Sequence, residues 1–267
     1  MRILFIGDIV GRPGRECVAR LLPGLRAEHQ LDLVIANGEN AAGGFGLSPK
    51  TAQEIFDAGV DVITLGNHTW AQKEIIPYLD TDAPVIRPLN YPPGTPGRGW
   101  CCVPTEQGTD IAIMNIMGRV FMDPLDSPFR AADAALAELG ESIPVVVDIH
   151  AEATSEKVAM GNYLDGRVSA VLGTHTHVPT ADARLLPKGT LYVTDVGMVG
   201  PYNSVIGAET DAMIRRFVTQ LPVRQNRRDQ IEGPVSFNAV LLEIDPATRR
   251  GRSIRRIDIL DTAPPEG

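Results

Sequence analysis

The sequence predicts an α/β protein built as a four-layer α/β/β/α sandwich, two packed mixed sheets flanked by helices. Three observations carry that prediction. Ten short apolar runs rich in β-branched residues recur along the 267 residues. Helical patterns lie between several of them, and so many strands exceed what one flat sheet readily holds.

The runs, in order, are ILFIG (3–7), LVIA (33–36), VDVITL (60–65), PVIR (84–87), IAIMNIM (111–117), PVVVDI (144–149), VSAVL (168–172), TLYVTD (190–195), FNAVLLEI (237–244) and IRRIDIL (254–260). Continuous apolar runs of this length suit strands buried on both faces. Val18, Leu21, Leu22 and Leu25 recur at helical spacing, and Pro23 is expected to break or kink that helix. Ser48-Pro49 reads as an N-cap followed by a first-turn proline, opening SPKTAQEIFDAG. Further helices are expected over 71–79, 129–139, 155–164 and 209–219, with the Pro- and Gly-rich stretch 88–108 forming loop or edge structure. No repeat, low-complexity segment or linker divides the chain, so residues 1–267 are expected to form a single domain with a loose DTAPPEG tail.

The composition is that of a soluble globular protein. A net charge of -8 opposes general affinity for nucleic acid or anionic membrane, although it does not forbid a local basic cleft. The cysteines, Cys17, Cys101 and Cys102, form no CxxC, which argues against a disulfide framework and against a thiolate zinc site. The apolar run in MRILFIGD is too brief for a signal segment or a membrane span. A reducing cytoplasmic setting, with no membrane partner, is the expectation.

Polar residues gather where the apolar runs end. ILFIG leads to Asp8, LVIA to Asn37, Glu39 and Asn40, VDVITL to Asn67 and His68, PVVVDI to His150, and VSAVL to Thr174, His175 and His177. Four of the five histidines follow a strand candidate; His29 sits instead in a helical segment. In LGTHTHVP, His175 and His177 are two apart, so a persisting strand would turn both imidazoles to one side. Plain alternatives exist one at a time: an exposed turn for this pair, a helix cap for Asp8, a turn for Asn67 and a hydrogen-bonded core histidine for His150. Together the groups point to a cation, because burying them without partners costs several kcal/mol, and strand carboxyl ends form the ligand crevice of α/β folds.

Oxygen and imidazole donors without thiolate suit manganese, iron or zinc, and Glu39 is able to bridge two ions. Two such ions, about 3.5–4 Å apart, clamp a phosphoryl group and lower the pKa of bound water from 15.7 toward roughly 7. Asn67 and His68 are adjacent, so their side chains diverge: one is free to bind metal while the other reaches the cleft. His68 is then the natural general acid; the other reading makes His68 itself a ligand.

The motifs GDIV, NGEN, GNHT, DIHAE and GTHTH, spread in this order over residues 8 to 177, resemble the calcineurin-like metallophosphoesterases. HAEATSEK (150–157), GTHTHVPTAD (173–182) and TDVGMVGP (194–201) are similar to the YmdB-like branch, and the likeness covers nearly the whole chain. The departures from the wider superfamily are Val10 in place of the first motif's histidine, Glu39 in place of the bridging aspartate, the added amide of Asn40, and Thr69 where an acidic residue often stands. The resemblance implies one divalent ion held by Asp8, Glu39, His177 and Asn40, and a second held by Glu39, Asn67, His150 and His175. It also implies hydrolysis of phosphodiesters such as 2′,3′-cyclic nucleotides; on the donor chemistry, iron or manganese is expected first and zinc next.

Weaker signals remain. GDIVGRPGRE (7–16) matches neither the dinucleotide fingerprint nor a P-loop and is read as a tight turn before a helix. TDVGMVGP is read as a cleft wall. The arginines of RRFVTQLPVRQNRR and RRGRSIRR are read as a solvated face. The expected partner is a small-molecule phosphodiester; contact with RNA and self-association stay open. Two rival classes are a metal- or nucleotide-binding regulator, which should tolerate His68→Ala, and a dimetal hydrolase of C–N bonds, which the neutral amides Asn40 and Asn67 argue against.

Overall fold

Along β1 (Arg2–Ile6), alternate side chains enter different cores. Ile3 and Phe5 face one way, Leu4 and Ile6 the other, and all four are fully buried. A strand with period-two alternation and no exposed face belongs to a sheet covered on both sides. The computed structural model describes residues 1–105, 108–223 and 231–263.

The elements follow as β2 (Asp8–Ile9), α1 (Gly11–His29), β3 (Leu33–Asn37), α2 (Pro49–Asp57), β4 (Val62–Thr64), α3 (Ile75–Leu79), β5 (Val85–Ile86), β6 (Trp100–Pro104) and β7 (Asp110–Met117). They continue with α4 (Pro128–Leu139), β8 (Val145–His150), α5 (Thr154–Leu164), β9 (Ala170–Thr174), β10 (Arg184–Leu185), β11 (Leu191–Val193), β12 (Met198–Pro201), α6 (Thr210–Thr219), β13 (Val235–Ile244) and β14 (Gly251–Asp261). One sheet runs β2-β12-β13-β1-β3-β4-β5, with β14 also paired to β13; the other runs β10-β11-β9-β8-β7-β6. Both mix parallel and antiparallel pairs.

Three apolar layers hold the sandwich. Between the sheets, Ile3, Phe5, Leu33 and Ile35 meet Ile113, Val146, Leu172 and Val193. Outside the first sheet, Leu4, Ile6, Val34 and Ala36 pack with Cys17, Val18 and Leu22 of α1 and Ile55 of α2. Outside the second, Met114, Val147, Ile149 and Val171 pack with Ala132 and Ala135 of α4 and Met160 and Leu164 of α5. This is the expected four-layer α/β/β/α arrangement.

All ten apolar runs become strands. The 88–108 stretch supplies β6, which among the described residues pairs only with β7 and is an edge. The expectation that Pro23 breaks the helix is corrected: α1 runs unbroken from Gly11 to His29 with Pro23 inside it. Pro23 is exposed, leaving its missing hydrogen bond to water, while Leu22 and Leu25 beside it are buried. That burial offsets the roughly 3 kcal/mol a mid-helix proline costs. At α2 the Ser48 side chain accepts from Thr51 N, and Thr51 Oγ1 accepts from Ser48 N at 3.0 Å, a capping box with Pro49 at the first position. Among the described residues no helix is long and apolar enough to cross a membrane.

The parallel strands β3, β4, β8 and β9 end side by side. Asn37 pairs with Thr64 in register, and His150 with Thr174. At Gly7 the chain changes partner: Gly7 N donates to Asn238 O, Asp8 N to Gly197 O, each at 3.0 Å. A Cβ on Gly7 would lie 2.1 Å from Gly197 O, so only glycine permits this crossing. The crossing brings Asp8 to the rim where the other strands end.

Candidate metal centre

Glu39 sits at the middle of the strand-end cluster. Its Oε1 lies 3.1 Å from His150 Nε2 and 3.3 Å from His68 Nδ1, and accepts from Asn40 Nδ2 at 3.2 Å. Its Oε2 accepts the His68 backbone N–H at 2.9 Å. On one side, His150 Nε2 also stands 3.0 Å from Asn67 Oδ1 and 3.1 Å from His175 Nδ1. One ligand atom each from Glu39, His150 and His175 lie within 4.8 Å of one another, a spacing that a single cation bridges. On the other side, His177 Nε2 lies 3.1 Å from Asn40 Nδ2 and 3.8 Å from Asp8 Oδ1.

Asp8 tests whether the site suits a metal. It is fully buried; Oδ2 accepts His175 N at 3.1 Å, while Oδ1 has no hydrogen-bond partner. A buried carboxylate oxygen without a partner is costly. A divalent cation shared with His177 and Asn40 is a partner that this donor set fits. Gly66 gives a second indication: a Cβ there would lie 2.3 Å from His150 Nε2 and 2.5 Å from Glu39 Oε2, so the cluster closes only over a bare glycine.

The electrostatics favour positive charge at the same point. Burial pushes the Asp8 carboxyl well above the usual carboxylate range. Burial acts on Glu39 in the same direction, but His150 and His68 pull harder and hold its carboxyl well below that range. Burial also opposes charge on His150, yet Glu39 lifts it to about 9. His175 is driven down to about 3 by burial and by the adjacent His150 charge. Protonated His150 therefore carries the positive charge this pocket attracts, while His175 is neutral and ready to ligate.

Sequence reasoning brings Asp8, Glu39, Asn40, Asn67, His68, His150, His175 and His177 into this one cluster, and the structure places them all there. The route taken by the histidine pair is corrected. β9 ends at Thr174, and both histidines adopt left-handed backbone, φ 100° for His175 and 65° for His177. They do not face one point by strand alternation; His175 reaches His150 and His177 reaches Asn40. Such backbone costs roughly 1–3 kcal/mol per residue and persists only where its surroundings enforce it.

His68 Nδ1 lies 2.9 Å from Asn40 Oδ1, and Phe45 packs edge-on against the ring at 5.0 Å. Nε2 makes no hydrogen bond or ion pair among the described residues, and the side chain is 30% exposed. Val10 is buried beside Gly200 and Gly207, outside the cluster. Thr69 Oγ1 donates to Gly66 O at 2.6 Å and serves the turn. Gly11 N donates to Asn40 O at 2.9 Å, in keeping with a tight turn rather than a phosphate cradle. His29, at the end of α1, contacts Arg255 and stands apart. Arg252 is exposed and pairs with Asp245, as a solvated face requires; Arg256 departs from that reading, its largely buried guanidinium pairing with Asp258 and donating to Val196 O at 2.8 Å, and Arg224, Arg227 and Arg228 lie outside the described residues.

Sequence reasoning missed the support beneath His150. Asp148, fully buried, accepts from Thr64 Oγ1 at 2.5 Å, Thr174 Oγ1 at 2.7 Å and Asn37 Nδ2 at 3.1 Å. Thr174 Oγ1 in turn lies 2.9 Å from His150 Nδ1, which fixes the ring. The available signal was a lone aspartate inside PVVVDI, two residues before His150 and hence on the same face. Glu152 was missed too; its Oε2 lies 3.1 Å from His175 Nε2.

An α/β/β/α sandwich with carboxylate, amide and imidazole groups converging at its strand ends defines a metallophosphoesterase-like protein. The chain belongs to the YmdB-like protein family, whose profile matches residues 4–257. It is 49% identical to a Bacillus subtilis 2′,3′-cyclic-nucleotide 2′-phosphodiesterase over 98% of both chains. Among solved structures, a hypothetical protein from Thermus thermophilus superposes with a TM-score of 0.91 at 49% identity, covering 98% of this chain and 100% of that one. A phosphatase from Mycoplasma pneumoniae gives 0.91 at 35% identity, covering 99% and 95%.

Proposed function

We propose that this protein is a dimetal phosphodiesterase acting on 2′,3′-cyclic nucleotides or closely related phosphodiesters. The observation that carries the reading is the convergence of two ligand groups on Glu39, with the unpartnered Asp8 oxygen at one of them. Asp8, Glu39, Asn40 and His177 hold one divalent ion; Glu39, Asn67, His150 and His175 hold the other. Manganese or iron suits these donors first, and zinc also. When bound, such a pair neutralises a phosphodiester and acidifies water into a nucleophile near neutral pH.

The chain's own residues do the rest. Glu39 ties the two ligand groups together, Asp148 and Thr174 hold the His150 ring, and the strand ends fix the spacing. His68 directs Nε2 into the cleft, where it donates a proton to the departing oxygen; Asn40 and Glu39 orient it through Nδ1. Phe45 limits the rotation of that ring. The identity of the Bacillus subtilis relative supports the substrate class.

The test is hydrolysis by the manganese-loaded protein of 2′,3′-cyclic nucleotides, their 3′,5′ isomers and bis-p-nitrophenyl phosphate. Turnover of the 2′,3′ ring with a higher kcat/KM than the 3′,5′ ring is expected. Inertness toward all three refutes the reading.

A further inference from the structure

Lys157 and Asp195 are each only 1% exposed, and Nζ lies 2.6 Å from Oδ2. A fully buried ion pair is a poor source of stability, because desolvating both charges offsets their attraction. Its surroundings suggest another use. The same Oδ2 accepts Thr176 Oγ1 at 2.7 Å and Thr176 N at 3.2 Å, while Oδ1 accepts Gly197 N at 2.8 Å. Thr176 is the residue between His175 and His177, both of which hold left-handed backbone. The Lys157 stem packs under Gly173, in β9 just before this loop: a Cβ there would lie 2.9 Å from Lys157 Cδ.

The stretches HAEATSEK, GTHTHVP and TDVGMVGP, far apart in sequence, thus meet at a single buried contact. We propose that Lys157–Asp195 is a positioning pair for metal binding, holding Thr176 so that His175 and His177 reach opposite sides of Glu39. The inference rests on the dimetal reading given above. Asp195 supplies the acceptor that grips Thr176. Lys157 supplies the charge that keeps this buried acceptor fixed, and its stem backs the loop.

The test compares Thr176→Val, Asp195→Asn, Lys157→Met and the Lys157→Met/Asp195→Asn double variant with the parent protein. Manganese affinity is measured by titration calorimetry, and thermal unfolding is measured on metal-free samples. Groups supporting metal ligands typically contribute about 10- to 100-fold to affinity. The expected result is a loss of about tenfold or more in Thr176→Val and Asp195→Asn. The neutral double variant should unfold near the temperature of the parent yet remain weak for manganese. Thr176→Val changes no charge and lies outside the ion pair, so it decides the matter should Lys157→Met fail to fold. Affinity within about fivefold of the parent in Thr176→Val and Asp195→Asn overturns the proposal. So does an affinity loss that tracks metal-free unfolding across all the variants. A parent protein that takes up no manganese instead refutes the dimetal reading, and this inference with it.

Discussion

His150 Nε2 and Glu39 Oε1 lie 3.1 Å apart, both fully buried, where Asn67 and His175 also converge. The pair holds a proton at the point where the ligands would hold a cation, and that competition has a measurable consequence. With His150 raised to about 9, it is protonated in the metal-free protein at neutral pH and must lose that proton to ligate. Metal affinity should therefore rise with pH up to about 9, at about tenfold per unit for each proton displaced. Calorimetry in buffers of different ionisation enthalpy should register release of at least one proton per chain; none released contradicts this picture.

Gly66 contacts no substrate in this account, yet its bareness is required. Gly66→Ala would force a methyl against His150 Nε2 and Glu39 Oε2. Manganese affinity should fall by about 10- to 100-fold, with secondary structure by circular dichroism retained. Affinity equal to that of the parent protein would show that the cluster tolerates a wider spacing.

His68→Ala separates acid catalysis from metal binding. The two ions should remain, while kcat on 2′,3′-cyclic nucleotides falls by about 10²–10⁴-fold. The loss should be much smaller on bis-p-nitrophenyl phosphate, whose leaving group departs readily without a proton. Equal losses on both substrates, or loss of metal, would mark His68 as a ligand instead.

Asp261 closes β14 onto α1 through Arg20. Burial alone would raise its carboxyl, but Arg20, Ala263 N–H and Cys17 hold it below the usual range. A lowered folded value favours the charged form, so the contribution is complete above the unfolded pKa of about 3.9 and is lost as pH falls through the folded one. Asp261→Asn should cost roughly 1–2 kcal/mol at neutral pH. Thermal melts should show a shallower decline in its stability than in that of the parent below about pH 4.

Much of this architecture is legible in the residues because continuous apolar runs report strands buried on both faces. The segments that stayed silent are β2, β10 and β12, of two to four residues each, too short to show a period. Pro23 misleads because local propensity is overruled by the packing of Leu22 and Leu25. The cluster was legible because polar groups ending apolar strands are conspicuous. How the 175–177 loop reaches it was not, since its two left-handed histidines flank Thr176, whose hydroxyl bonds Asp195, about twenty residues away in sequence. Asp148 stayed hidden for a related reason: its role becomes visible only when β4, β9 and β3 bring Thr64, Thr174 and Asn37 to it.

The central claim is tested most directly by counting metal and assaying turnover on the same samples. Chelator-treated protein is reloaded with manganese in steps, its content read by mass spectrometry and its hydrolysis of bis-p-nitrophenyl phosphate recorded at each step. The account predicts an inert metal-free protein and a rate that reaches its plateau at about two ions per chain. Full-rate hydrolysis without metal, or a protein that binds none, would contradict it.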